Sequence, residues 1–242
     1  MASLEKHFSI VFIFLLLQIS LFAQSTLKKT QNSIRFQIWY SLNAFPGDIE
    51  PENNSKIDTN SPFKSGPEFS IKSIQELLPY ILEAQIYGWD FSYTPSDKAR
   101  HVAEFFEIIP KNTISIKDPH IQYDSPLISN DGQKFSCWIT YTCTESQKNL
   151  LQSYTTINYP KIGGTGSASI KKETDGVKEA FKEAAKNAIR SYYRKIIKNK
   201  PKEINGSIYL EESPRYFIDK GQYVADLDFF LKKGTIVTYT LF

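Results

Sequence analysis

The chain has 242 residues, 41% of them hydrophobic and 14% aromatic, enough to bury a sizeable core. Its formal charge of +3 is too small for a nucleic-acid binder, which carries a strongly basic patch. Two cysteines and three histidines, with no ligand-like spacing among them, leave little material for a metal centre.

The opening residues "MASLEKHFSIVFIFLLLQISLFAQS" have a short polar start with Lys6, an unbroken apolar run from Ile10 to Leu17, and a small residue at Ala23. That three-part plan predicts a secretory signal peptide over residues 1–23, cleaved near Ala23. The run is much shorter than the ~20 residues needed to cross a bilayer, so it reads as a leader rather than an anchor. No cysteine follows it, which speaks against a lipid-modified N-terminus. About 219 residues remain, enough for one large domain or two small ones, and none of their apolar runs is long enough to span a membrane.

In "SIRFQIWYSLNAF", Ile34, Phe36, Ile38, Tyr40 and Leu42 alternate with Arg35, Gln37, Trp39 and Ser41, the pattern of a half-buried strand. A stretch rich in Pro, Asn, Ser and Asp over 45–69 reads as a long polar loop. A helix is expected from Ser73 to Tyr87, with Ser73 and Glu76 as a capping box and Pro79 inside it. "GWDFSYT" is a short strand with Trp89, Phe91 and Tyr93 on one face. "PSDKARHVAEFFEI" reads as a second helix capped by Ser96, with Ala99, Val102, Ala103 and Phe106 inward.

Two later segments share a plan. "SPLISNDGQKFSCWITYT" and "SPRYFIDKGQYVADLDFF" each run from Ser-Pro through an apolar stretch and a Gly-Gln turn into an alternating strand. Asp131-Gly132 and Lys220-Gly221 are the hairpin signals. Cys137 and Cys143 lie on one face of the first strand but six residues apart, roughly 20 Å. A disulfide needs Cα atoms within about 7 Å, so both read as buried apolar fillers.

Between these segments lies "PKIGGTGSASIKK". A phosphate loop needs its glycines to lead directly into a helix, and here strand-like residues intervene, with no Gly-Lys-Ser or Gly-Lys-Thr. Gly163-Gly164 is therefore expected to be a tight turn joining "QSYTTINYPKI" to "TGSASIKK" as two strands. The strongest helix follows, "DGVKEAFKEAAKNAIRSYYRKIIKNK", with Val177, Ala180, Phe181, Ala184, Ala185, Ala188, Ile189, Tyr192 and Ile196 on its apolar face. Its end is all positive, with Arg194, Lys195, Lys198 and Lys200. These charges complement the helix dipole, or form a contact for an acidic partner or anionic lipid.

No catalytic set can be assembled. His101 and Glu104, one turn apart, read as a surface pair, and Asp226 and Asp228 as the solvated face of an outer hairpin. Serines are plentiful, but none sits in a nucleophile elbow. Trp39 and Trp138 fall opposite the main apolar sets of their strands, where a large aromatic packs a second layer or awaits a partner. No catalytic, cofactor-binding or metal residue is assigned.

The segment "GTGSASIKKETDGVKEAFKEAAKNAIRSYYRKII" with "YFIDKGQYVADLDFFL" resembles the N-terminal domain of periplasmic flagellar T-ring assembly proteins and related exported lipoproteins. In those, a Gly-containing strand leads into an Ala-rich helix and then a strand pair around a Gly. "IYGWDFSYTPSDKARHVAEFFEI" is similar to uncharacterised exported proteins of spirochaetes. The expectation is an α+β fold of two helix-on-antiparallel-sheet units: an α/β unit over 24–150 and a hairpin-helix-hairpin unit over 151–242. The expected role is that of an exported bacterial envelope protein, a non-enzymatic binding or structural module. Its expected partner is another envelope protein or a second copy, with no cofactor and no small-molecule ligand. The alternatives are a periplasmic hydrolase and an outer-membrane-associated protein, the latter suggested by the aromatic terminus "GTIVTYTLF".

Overall fold

The computed structural model describes residues 32–43, 66–156 and 159–239, except for the side chains of 155 and 156. The expected signal peptide, the polar loop up to residue 65 and the last three residues lie outside the described residues. In chain order the elements are β1 (Ser33–Ser41), α1 (Pro67–Ile86), β2 (Trp89–Thr94), β3 (Phe105–Pro110), β4 (Ile121–Ile128), β5 (Lys134–Thr142), α2 (Glu145–Thr156), β6 (Lys161–Ser169), α3 (Glu173–Ile196), β7 (Glu203–Leu210), β8 (Arg215–Asp219) and β9 (Gln222–Val237).

These make an α+β fold with two antiparallel sheets. The smaller has the order β1-β5-β4; the larger runs β3-β2-β7-β9-β6, with β8 also on β9. Strands from both expected units therefore meet in one sheet, where Trp89 to Tyr93 of β2 pair with Ile208 to Ile204 of β7. The alternation read from the sequence fixes which side chains go inward. Phe36, Ile38 and Tyr40 of β1 and Cys137, Ile139 and Tyr141 of β5 are buried, as are Tyr223, Leu227 and Phe229 of β9. Helix α1 packs against β1 and β5 of the small sheet and β7 of the large one, so one continuous core serves both sheets.

Several expectations are corrected. Helix α1 starts six residues before Ser73: Gly66 at φ 93° precedes Pro67 at the first helical position, with Glu68 in the first turn. Ser73 is buried within the helix, and Ser70 Oγ donates to the Ser41 carbonyl at 2.8 Å. The polar loop thus loses its last residues to α1.

The expected helix from Ser96 does not form. Asp97 accepts from the Ala99 amide at 3.1 Å and pairs with Arg100 at 2.6 Å, closing one short turn over Lys98–Arg100. His101, at φ 56°, then reverses the chain. The aromatic and β-branched "FFEIIP" pairs with β2 instead, with Trp89 opposite Pro110 and Tyr93 opposite Phe106.

Around the glycines the correction is larger. "QSYTTINYPKI" begins inside helix α2, not in a strand, and Gly163, Gly164 and Gly166 lie mid-strand in β6, opposite Asp228, Leu227 and Ala225 of β9. The tight turn does not exist. The glycines instead let α3 approach: a Cβ on Gly164 would lie 2.3 Å from the Ala184 carbonyl oxygen, and one on Gly166 2.4 Å from that of Ala180.

The apolar face of α3 is otherwise as expected up to Ile189. In its last turn the core position passes to Tyr193, only 2% exposed, and Ile196 is 51% exposed. Ile197, four residues after Tyr193, packs on the core in its place. Both hairpin signals hold. Lys220 and Gly221, at φ 48° and 71°, form the two-residue turn between β8 and β9, and Gly132 at φ 66° lies in the β4–β5 connection.

Candidate functional site

Arg190 and Arg194 lie one turn apart on one stripe at the C-terminal end of α3, and Lys198 follows just beyond it, where Ile197 has turned to an extended backbone. Beside that stripe, β2 and the chain after it supply Tyr93, Pro95 and Ser96, and Glu104 stands just before β3. Between them is a cleft of about 270 Å³ whose lining includes Arg190, Arg194, Lys198 and Lys200. Four cations thus face one carboxylate.

That carboxylate is already engaged. Tyr93 Oη donates to Glu104 Oε1 at 2.8 Å, Arg190 lies 3.7 Å from the same oxygen, and Lys186 lies 4.0 Å from Oε2. Lys200 Nζ donates to the Ser96 carbonyl at 2.9 Å, which holds the far wall. Arg194 and Lys198 have no ion pair or hydrogen bond among the described residues. Tyr193 also lines the cleft, but its hydroxyl is sealed from solvent and has no hydrogen-bond partner among the described residues. Burial pushes the Tyr193 phenol up, so it stays protonated and remains a donor. A buried donor left unmade is unfavourable by about 1–3 kcal/mol.

A second hollow, more open, lies between the β3–β4 connection and the start of α2. Asp118 Oδ1 meets His120 Nδ1 at 2.7 Å, and the Tyr141 hydroxyl donates to Asp118 Oδ2 at 3.2 Å. Gln147 Nε2 donates to Tyr141 at 3.0 Å and to Tyr87 at 2.8 Å. Burial opposes the charge on Asp118, but hydrogen bonds from the His120 amide, its ring and Tyr141 outweigh it and hold the carboxyl below its ordinary value. Burial likewise pushes Tyr141 up to about 12. No hydroxyl or thiol among the described residues hydrogen-bonds the His120 ring, so the hollow has an oriented imidazole without a nucleophile.

The side chains singled out from sequence are placed as follows. His101 and Glu104 are on no common helix, and Glu104 turns to the cleft. Asp226 and Asp228 share Arg215, at 3.3 and 3.1 Å, on an exposed face. Trp39 stacks on Tyr216, centroids 4.9 Å apart, and Trp138, 36% exposed, carries the Arg35 guanidinium 4.7 Å above its ring. Both cysteines are free and buried. Of the cleft, the sequence signalled only the cationic helix end. The Asp118–His120 pair was missed because two residues separate them in an irregular segment that no periodicity marks.

Comparison with known proteins gives a family and no structure. No solved structure matches the chain. It is similar to an uncharacterised protein of Treponema pallidum (strain Nichols), 28% identical over 215 residues, which span 87% of this chain and 83% of that protein. A protein-family model matches residues 21–239, nearly the whole chain; the protein belongs to that family, and the Treponema relative marks it as of spirochaete type.

Proposed function

We propose that the protein is an exported binding module of the bacterial envelope, not an enzyme, and that the cationic cleft at the end of α3 is where it binds. One observation carries this reading: four cations and a single carboxylate line one cleft, and two of those cations, Arg194 and Lys198, have no ion pair or hydrogen bond among the described residues. Cations placed only to complement the helix dipole need no cavity. The leader-like N-terminus supports export, and the family match takes up the chain at residue 21, beside the expected cut. No helix among the described residues is long and apolar enough to cross a membrane. The succession of glycine strand β6, Ala-rich α3 and the β8–β9 hairpin around Gly221 supports the T-ring-like reading, and with it an envelope protein as partner.

Fractionation of native cells tests the location. The expected result is a chain beginning at Gln24, released with periplasmic contents; a cytoplasmic chain that keeps residues 1–23 would remove export. Co-purification with the wild type and with Arg194→Gln/Lys198→Gln tests the cleft. A partner retained equally by both would take the cleft out of the function.

A second reading, an envelope hydrolase, draws on the Asp118–His120 pair. Its test is turnover of acyl and phosphoryl esters that is lost in His120→Ala, and no turnover by the wild type removes it.

A further inference from the structure

We infer that the cleft takes a terminal phosphate group, a phosphomonoester dianion, held by Arg190, Arg194 and Lys198 from α3 and the residues after it. The inference rests on the binding-module reading and names its ligand class.

The charge argument comes first. Four cations against Glu104 leave an excess that a single carboxylate does not neutralise, and Glu104 is satisfied by Tyr93. A compact group with two negative charges meets that excess. The carbonyl end of α3 repels an anion weakly, and four cations outweigh it.

Size and shape agree with this. At about 270 Å³ the cleft lies just below the roughly 300–1,000 Å³ of sites that enclose a drug-sized molecule, so it holds a small ligand or the head of a larger one. Arg190 and Arg194, one turn apart on α3, both line the cleft and supply guanidinium groups, whose planar forks match phosphate oxygens.

The experiment uses the mature chain and calorimetric titration with glycerol 3-phosphate, and sedimentation with phosphatidylcholine vesicles with and without phosphatidic acid. The expected result is binding of at least one probe, weakened about tenfold in Arg194→Gln and comparably in Lys198→Gln. Neither substitution should lower the melting temperature, since neither side chain has an ion pair or hydrogen bond among the described residues. A purely structural role would show the opposite split. Binding of the soluble ester assigns a free phosphomonoester; binding only of phosphatidic acid vesicles assigns a lipid headgroup. Binding of neither probe by the folded wild type, or binding indifferent to both substitutions, overturns the inference. If an envelope partner still depends on Arg194 in that case, only the phosphate assignment is lost and the binding-module reading stands.

Discussion

A Cβ on Gly166 would sit 2.2 Å from the backbone nitrogen of Ala184, closer than any real contact, so β6 and α3 touch backbone to backbone. Ala180, Ala184 and Ala188, the small residues of the helix face, complete the fit. Gly166→Ala forces strand or helix to move and should destabilise by about 1–3 kcal/mol, read as a lower urea midpoint at unchanged slope. Gly163→Ala meets only the Asp228 carboxylate end at 2.6 Å, which can swing away, and should be near neutral. Equal losses at the two positions would mean that helix and strand are not packed this closely.

Trp39 of the small sheet stacks on Tyr216 of the large one, and the Tyr216 hydroxyl donates to the Trp39 carbonyl. This contact ties the two sheets together. Tyr216→Phe keeps the stack and loses the hydrogen bond, a loss of about 1 kcal/mol. Tyr216→Ala opens a cavity as well and should lose about 3–5 kcal/mol. Denaturant curves for the pair decide: a Phe variant as damaged as the Ala variant would assign the stability to the hydroxyl alone.

The elements that were legible in the sequence are those whose side-chain period decides burial by itself. Val177 to Ile189 could face inward only as a helix, and Phe135 to Tyr141 only as a strand. Helix α2 was missed although its start carries a signal, because "QSYTTINY" alternates like a strand. Thr144 and Gln147 form a reciprocal cap, with the Thr144 amide donating to Gln147 Oε1 at 2.8 Å and the Gln147 amide donating back to Thr144 Oγ1 at 3.4 Å. The segment from Ser96 failed for another reason: antiparallel pairing with β2, the strand just before it, overrode a helical pattern. Glycine misled most. Gly163-Gly164 has the composition of a turn, and only the presence of α3 above it makes flatness rather than reversal its use.

Lys220 pairs a side chain with a left-handed backbone, φ 48°, in the two-residue turn before β9. An L-residue there is strained, and asparagine tolerates the conformation better. Lys220→Asn should stabilise by about 0.5–1 kcal/mol, and Gly221→Ala should destabilise by about as much. A thermal melt in which both substitutions lower the midpoint would contradict this turn geometry.

Cys137 and Cys143 are buried, and burial pushes both thiols up. A protonated, enclosed thiol is inert. Native protein should therefore resist a thiol-specific chromogenic reagent, and both cysteines should react after unfolding without prior reduction. Fast labelling of either in the native state would place it at the surface.

Glu83 of α1 is buried, 7% exposed, and its Oε1 accepts the Ile114 amide at 2.8 Å. Burial raises its pKa above the ordinary 4.5, and the hydrogen bond offsets only part of that. Because the folded-state pKa is the higher one, the unfolded chain releases its proton first as the pH rises. Stability from this group is full below the unfolded pKa and is lost as pH rises through the folded one. Glu83→Gln keeps a carbonyl oxygen for the Ile114 amide and carries no charge, so it removes the titration without removing the acceptor. The stability difference, variant minus wild type, should grow from pH 4 toward pH 7 and then level. A difference that shrinks over that range would mean that the native fold stabilises the Glu83 carboxylate in its charged form.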